Sequence, residues 1–178
     1  MSTIHKTASK KAASPARAKA ATTPDAVKLL MADHKEVKGL FAQYQNLMDA
    51  DAGADKRQAL AQQICAMLTV HATVEEEIFY PAARAALDDE DMLDEAEVEH
   101  ASAKELIAQI ESMGADDDLY DAKVTVLGEY IDHHVKEEEG EMFPKCRKSA
   151  MDLGTLGEEL DARKAELTEE MMGESAAA

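Results

Sequence analysis

Two segments of this chain repeat one chemical pattern: a histidine, a glutamate four residues on, and a proline six beyond that. They are His71, Glu75 and Pro81, then His134, Glu138 and Pro144. At i and i+4, an imidazole and a carboxylate project from one face of a helix, one turn apart. The imidazole can bind an ion while the carboxylate reaches the same ion or bridges to a second. Single histidines, His34 and His100, lie on the segments that precede each pattern. The chain therefore offers four imidazoles and two bridging carboxylates, each ion taking two imidazoles and a share of both glutamates. Mixed nitrogen and oxygen ligation suits iron, manganese or zinc better than calcium or magnesium. Six protein ligands for two ions leave open positions, which suit iron and small ligands such as O2, peroxide or NO. Two bridged non-haem Fe ions are the expected cofactors, ahead of Mn or Zn.

Each residue alone has a plainer reading. A lone histidine on an apolar stripe is commonly a satisfied core residue, and Glu75-Glu76-Glu77 and Glu137-Glu138-Glu139 read as solvated helix surface. The coincidence of four histidines, two glutamates and two prolines at matched offsets favours the metal.

Four helices must carry these residues. Thr22-Thr23-Pro24-Asp25 supplies a capping hydroxyl, an early proline and an acid for a first helix ending near Asp49. Its stripe is Val27, Leu30, His34, Val37, Phe41, Tyr44 and Met48. The second runs from about Asp55 to Leu87 with Leu60, Ile64, Met67, His71, Val74 and Ile78 inward, and Pro81 should kink it. The third, Asp91 to Met113, carries Leu93, Ala96, His100, Ala103, Ile107 and Ile110. The fourth follows Asp116-Asp117-Asp118 and reaches Ala150, with Val124, Leu127, Tyr130 and His134 inward and a kink at Pro144. Gly154 and Gly157 flank a break before a last amphipathic segment with Leu156, Leu160, Leu167 and Met171, expected as a fifth helix packed on the bundle or on a partner; Gly173 to Ala178 should fray.

Short connections make neighbouring helices antiparallel. His34 lies 15 residues before Asp49 and His71 lies 16 after Asp55, both roughly 22–24 Å from the turn at ~1.5 Å per residue. In the second half, His100 and His134 differ in depth by about 4–5 Å, under one helical turn. All four can meet at one level. The expected fold is all-α, an up-down-up-down four-helix bundle over residues 24–150, preceded by a disordered basic tail (1–23) and followed by a C-terminal amphipathic helix and frayed end (151–178).

The remaining reactive residues are given lesser roles. His5 lies in the tail, and His133 is turned about 100° from His134, which the repeat makes the partner of His71. Tyr130, one turn before His134, is expected in the core or donating a hydrogen bond to a bound oxygen species. Glu76 reads as a surface acid, with support of His71 as the alternative. Cys65 and Cys146 read as ordinary small buried residues, and two lone thiols favour a reducing compartment, hence the cytoplasm.

A net charge of −18 argues against nucleic acid or an anionic membrane as partner. No apolar run approaches the ~20 residues that span a bilayer. The last helix is the expected surface for any homo-oligomer.

These residues resemble the hemerythrin-like, or HHE cation-binding, family. The likeness is carried by Asp33-His34, by His71 to Glu76 and Phe79-Tyr80-Pro81, by Glu99-His100, and by His134 to Glu139 and Phe143-Pro144. The resemblance implies a four-helix bundle around a non-haem di-iron centre, with His34, His71, Glu75, His100, His134 and Glu138 as ligands. It also implies a departure. Oxygen-carrying members have a further histidine one turn along the third helix, where this chain has Lys104, and their last helix carries His-x4-Asp rather than His-x3-Glu. The resemblance therefore points away from simple O2 carriage and toward members that process or sense O2, peroxide or NO. The competing readings are iron storage or buffering, reversible O2 binding without turnover, and a metal-free helical interaction module.

Overall fold

The computed structural model describes residues 24–177. The expected disordered tail and His5 lie outside the described residues. Seven α-helical stretches follow in order: α1 Ala26–Asp49, α2 Ala54–Val74, α3 Tyr80–Ala86, α4 Glu90–Glu111, α5 Tyr120–Glu137, α6 Phe143–Lys148 and α7 Leu153–Ala177. Two π-helical turns, Glu75–Phe79 and Glu138–Met142, join α2 to α3 and α5 to α6. The result is a four-helix bundle with a fifth long helix, all-α among the described residues.

Asp25, rather than a threonine hydroxyl, caps α1: its carboxylate accepts from the Lys28 N–H at 3.0 Å. The α5 helix starts at Tyr120, just after the Asp116–Asp118 run, and Leu119 before it is in the left-handed region at φ 70°.

The prolines act through the two π turns. Proline has no N–H, and its ring crowds the carbonyl four residues back. Widening the preceding turn relieves that crowding while the helix continues. The Tyr80 N–H reaches back five residues to the Glu75 carbonyl, and the Phe143 N–H does the same to Glu138. Each π turn begins at the glutamate of the repeated pattern.

Packing is layered. One apolar cluster gathers Val37, Leu40, Tyr44, Ile64, Leu68, Ile107, Tyr120 and Leu127. The other gathers Val27, Leu30, Phe79, Tyr80, Leu93, Phe143 and Leu160. The histidines and glutamates of the pattern form a polar layer between them. The expected stripe of α4 is buried throughout, whereas Tyr130 is 50% exposed and Ile131 takes the inward position on α5.

The last segment lies on its own bundle, with Leu160 fully buried and contacts to α1, α2 and the first π turn. The break before it falls at residues 149–152, ahead of the glycines expected to flank it. α7 runs through Gly154 and Gly157, and continues past Gly173 to Ala177 where fraying was expected. Gly157 is needed for contact: a β-carbon there would lie 2.3 Å from the Pro24 carbonyl oxygen. Among the described residues, no helix is long and apolar enough to cross a membrane.

Candidate metal centre

The chain brings all six sequence-predicted residues together. His34 on α1, His71 on α2, His100 on α4 and His134 on α5 point inward, and Glu75 and Glu138 enter from the two π turns. All six are buried. One donor atom each from His34, His71, Glu75 and Glu138 falls within 4.8 Å of the others, and so does one each from Glu75, His100 and His134. Glu75 belongs to both groups. Its Oε2 is 3.2 Å from His71 Nε2 and 3.5 Å from His100 Nε2. Glu138 Oε2 stands 3.2 Å from His34 Nε2 and 3.6 Å from His134 Nε2. Each glutamate thus joins a histidine of one half-chain to a histidine of the other.

A carboxylate holds the outer nitrogen of every imidazole. His71 Nδ1 lies 3.3 Å from Asp33, His100 Nδ1 3.0 Å from Glu76, His134 Nδ1 2.8 Å from Glu99, and His34 Nδ1 3.0 Å from Glu139. With Nδ1–H donating outward, Nε2 presents its lone pair to the centre, the tautomer that binds a metal. The links form a closed ring around the bundle. α1 holds the histidine of α2, the first π turn that of α4, α4 that of α5, and the second π turn that of α1. None of these supports was assigned from sequence, and Glu76, expected at the surface, serves His100. A signal was present: Asp33, Glu76, Glu99 and Glu139 each adjoin a ligand-pattern residue. A chain neighbour is turned about 100° on a helix, so it serves the adjacent helix rather than its own.

Two supports extend outward. Lys104, on the α4 turn after His100, donates to Glu76 at 2.6 Å. Lys164 of α7 donates to both oxygens of Asp33, at 2.5 and 2.6 Å.

Tyr80 is the residue that sequence reasoning missed inside the centre. Its hydroxyl donates to Glu138 Oε1 at 2.9 Å and stands 3.2 Å from His100 Nε2. Phe143, at the equivalent place in the repeat, instead stacks on His34 with ring centroids 5.7 Å apart. Tyr130 faces solvent. His133 is exposed and turned away from the centre. Cys65 and Cys146 are buried and free, and burial pushes their thiols up to about 12 and about 11.

The residues fit metal ions. Among the described residues, the buried side-chain atoms without a hydrogen-bond partner all belong here: His34 Nε2, His71 Nε2, both oxygens of Glu75 and Oε2 of Glu138. Buried polar atoms are ordinarily satisfied. These meet lone pair to lone pair, an arrangement that a cation between them relieves. Protonation is correspondingly uneven. Burial, reinforced by repulsion from Glu138, holds Glu75 well above the usual carboxylate range. Burial opposes ionisation of Glu138 too, but without a cation a proton taken up by His34 and the neighbouring imidazoles stands in for it and brings Glu138 down to about 2. Burial, then His134, lowers His100 to about 4.

The family model described as "Hemerythrin HHE cation binding domain" matches residues 25–146. A protein of Nostoc sp. strain PCC 7120, named a DNA nickase, is 28% identical over 148 residues, which are 82% of this chain and 41% of that protein. The chain thus spans about two fifths of that relative's length. The crystal structure of a hemerythrin HHE cation binding domain-containing protein from Mycobacterium kansasii superposes with a TM-score of 0.67 at 23% identity, over 81% of this chain and 87% of that one. That likeness shows the fold. With the family match covering most of the helical bundle and both repeats of the pattern, this chain belongs to the hemerythrin HHE cation-binding domain family.

Proposed function

We propose that the chain is a non-haem di-iron protein that handles or senses O2, peroxide or NO. His34 and His71 serve one ion, His100 and His134 the other, and Glu75 and Glu138 serve both. The observation that carries this reading is the set of buried, unpartnered donor atoms meeting from both half-chains. Bound iron would supply redox chemistry and open coordination positions. The chain's own residues do the rest. Four carboxylates aim the imidazoles, two apolar clusters exclude water above and below, and Tyr80 holds a proton 2.9 Å from Glu138. A cleft of about 210 Å3 lined by Val98, Tyr130 and Ile131 leads to His100 and His134 and offers a small neutral molecule a route inward.

The carboxylate-rich donor set favours oxidation over reversible O2 carriage, and Lys104 points to Glu76 rather than adding a ligand. The two buried thiols fit a reducing compartment, and we place the protein in the cytoplasm. Nucleic acid stays outside the proposal, because a charge of −18 opposes binding a polyanion.

Reconstitution with ferrous iron, desalting and elemental analysis should give about two Fe per chain, with His71→Ala and His134→Ala each markedly lower. Content near zero, or a preference for one zinc, overturns the reading. Diferrous protein exposed to O2 should turn ferric and stay so on degassing, and peroxide should be consumed catalytically unless Glu75 is replaced by Ala. Recovery of diferrous protein on degassing would favour carriage instead.

A further inference from the structure

His133 immediately precedes His134 in sequence yet takes no part in the centre. Its side chain is 65% exposed, with Nε2 3.3 Å from Glu137 Oε1 and 3.5 Å from Glu99 Oε1. One donor atom from each of the three lies within 4.8 Å of the others. Glu99 is shared between two tasks: Oε2 accepts from His134 Nδ1 at 2.8 Å, while Oε1 faces His133.

Beside this group a cleft of about 280 Å3 opens along α4, α5 and the second π turn. Its lining passes from Asp91, Glu95, Glu137 and Glu141 to the buried His134 and Glu138. Lys145 is the one cation among its described lining residues, and Asp89 holds it at 2.7 Å. Glu138, at the inner end, is 1% exposed, and its Oε2 has no hydrogen-bond donor.

A solvated i,i+4 pair on one helix would account for His133 and Glu137. It does not account for a third donor from the neighbouring helix, or for an acidic cleft that ends on an unpartnered buried carboxylate. We propose that Glu99, His133 and Glu137 form a second, weaker cation site. There a divalent transition-metal ion, ferrous iron above all, docks before passing along the cleft to Glu138 and His134. The inference rests on the di-iron reading and assigns that centre its loading route. One imidazole with two carboxylates selects such an ion over calcium or magnesium. One exposed imidazole and two half-buried carboxylates, all at the surface, leave much of the ion's water in place, so it binds and departs readily. The acidic lining raises the local cation concentration at the mouth. No electron moves in this step; the ion exchanges water for protein oxygens and nitrogens.

The test uses the full chain and the double variant His133→Ala/Glu137→Gln, leaving Glu99 intact because it holds His134. Anaerobic uptake of ferrous iron is followed by chelator quench, and Mn2+ binding is counted by the free-ion magnetic resonance signal. The variant should lose one weakly held Mn2+ per chain and fill the centre about tenfold more slowly, while reaching the same final iron content. An unchanged Mn2+ count together with an unchanged rate overturns the proposal. If the unmodified centre takes up no iron, the di-iron reading falls, and the loss or retention of the weak Mn2+ still decides the outer site.

Discussion

A histidine has two nitrogens, and here each has its own task. Nδ1 is committed to a carboxylate from the neighbouring helix, and Nε2 faces the ion position. The inward half of this arrangement was legible in the sequence, because ligand spacing on one helix is a local property. The outward half was not, because which helix Asp33 or Glu76 turns toward depends on packing. Tyrosine shows the same limit. Spacing nominated Tyr130, one turn before His134, but that side chain is 50% exposed, and Tyr80 from the proline-bearing turn supplies the buried hydroxyl. Tyr80→Phe leaves Glu138 Oε1 without its donor in a dry site, so metal-free protein should lose about 1–3 kcal/mol of stability. Tyr130→Phe should lose almost nothing. Denaturant unfolding of the two variants side by side checks this.

At the scale of the element, helix number, order and most boundaries followed from apolar periodicity and from Asp and Gly punctuation. The π turns did not, since proline in a helical pattern predicts a disturbance without saying whether the helix kinks or widens. Widening keeps α2 and α5 running on while placing Glu75 and Glu138 at the point of change. The last helix carried a second misreading, for Gly154 and Gly157 looked like a break. Gly157 instead lets α7 touch the start of α1, where a β-carbon would meet backbone at 2.3, 2.9 and 3.0 Å. Backbone on both sides has little room to give, so Gly157→Ala should cost about 1–3 kcal/mol. Gly39→Ala, in open space on α1, should instead gain roughly 0.5–1 kcal/mol. Thermal melts of the pair separate contact from helix propensity.

For the whole molecule, the metal centre is the middle layer of the bundle, and neither half-chain completes it alone. Metal should therefore stabilise the folded state as a ligand that the unfolded chain binds poorly. At a free concentration a hundred times the dissociation constant, linkage gives about 2.7 kcal/mol, or roughly 5–11 °C at this chain length. Calorimetry of chelator-stripped and reconstituted protein measures it, and coincident melting curves would contradict the centre's place in the fold. The ring of outer carboxylates has one more consequence. Three of its four links do not stop at the carboxylate: Asp33 goes on to Lys164, Glu76 to Lys104, and Glu99 to His133. A change of charge at a cation held in this centre would therefore reach, through two side chains, groups that solvent can touch. If the proposed centre senses its ligand, these three chains are the paths by which the surface would register it.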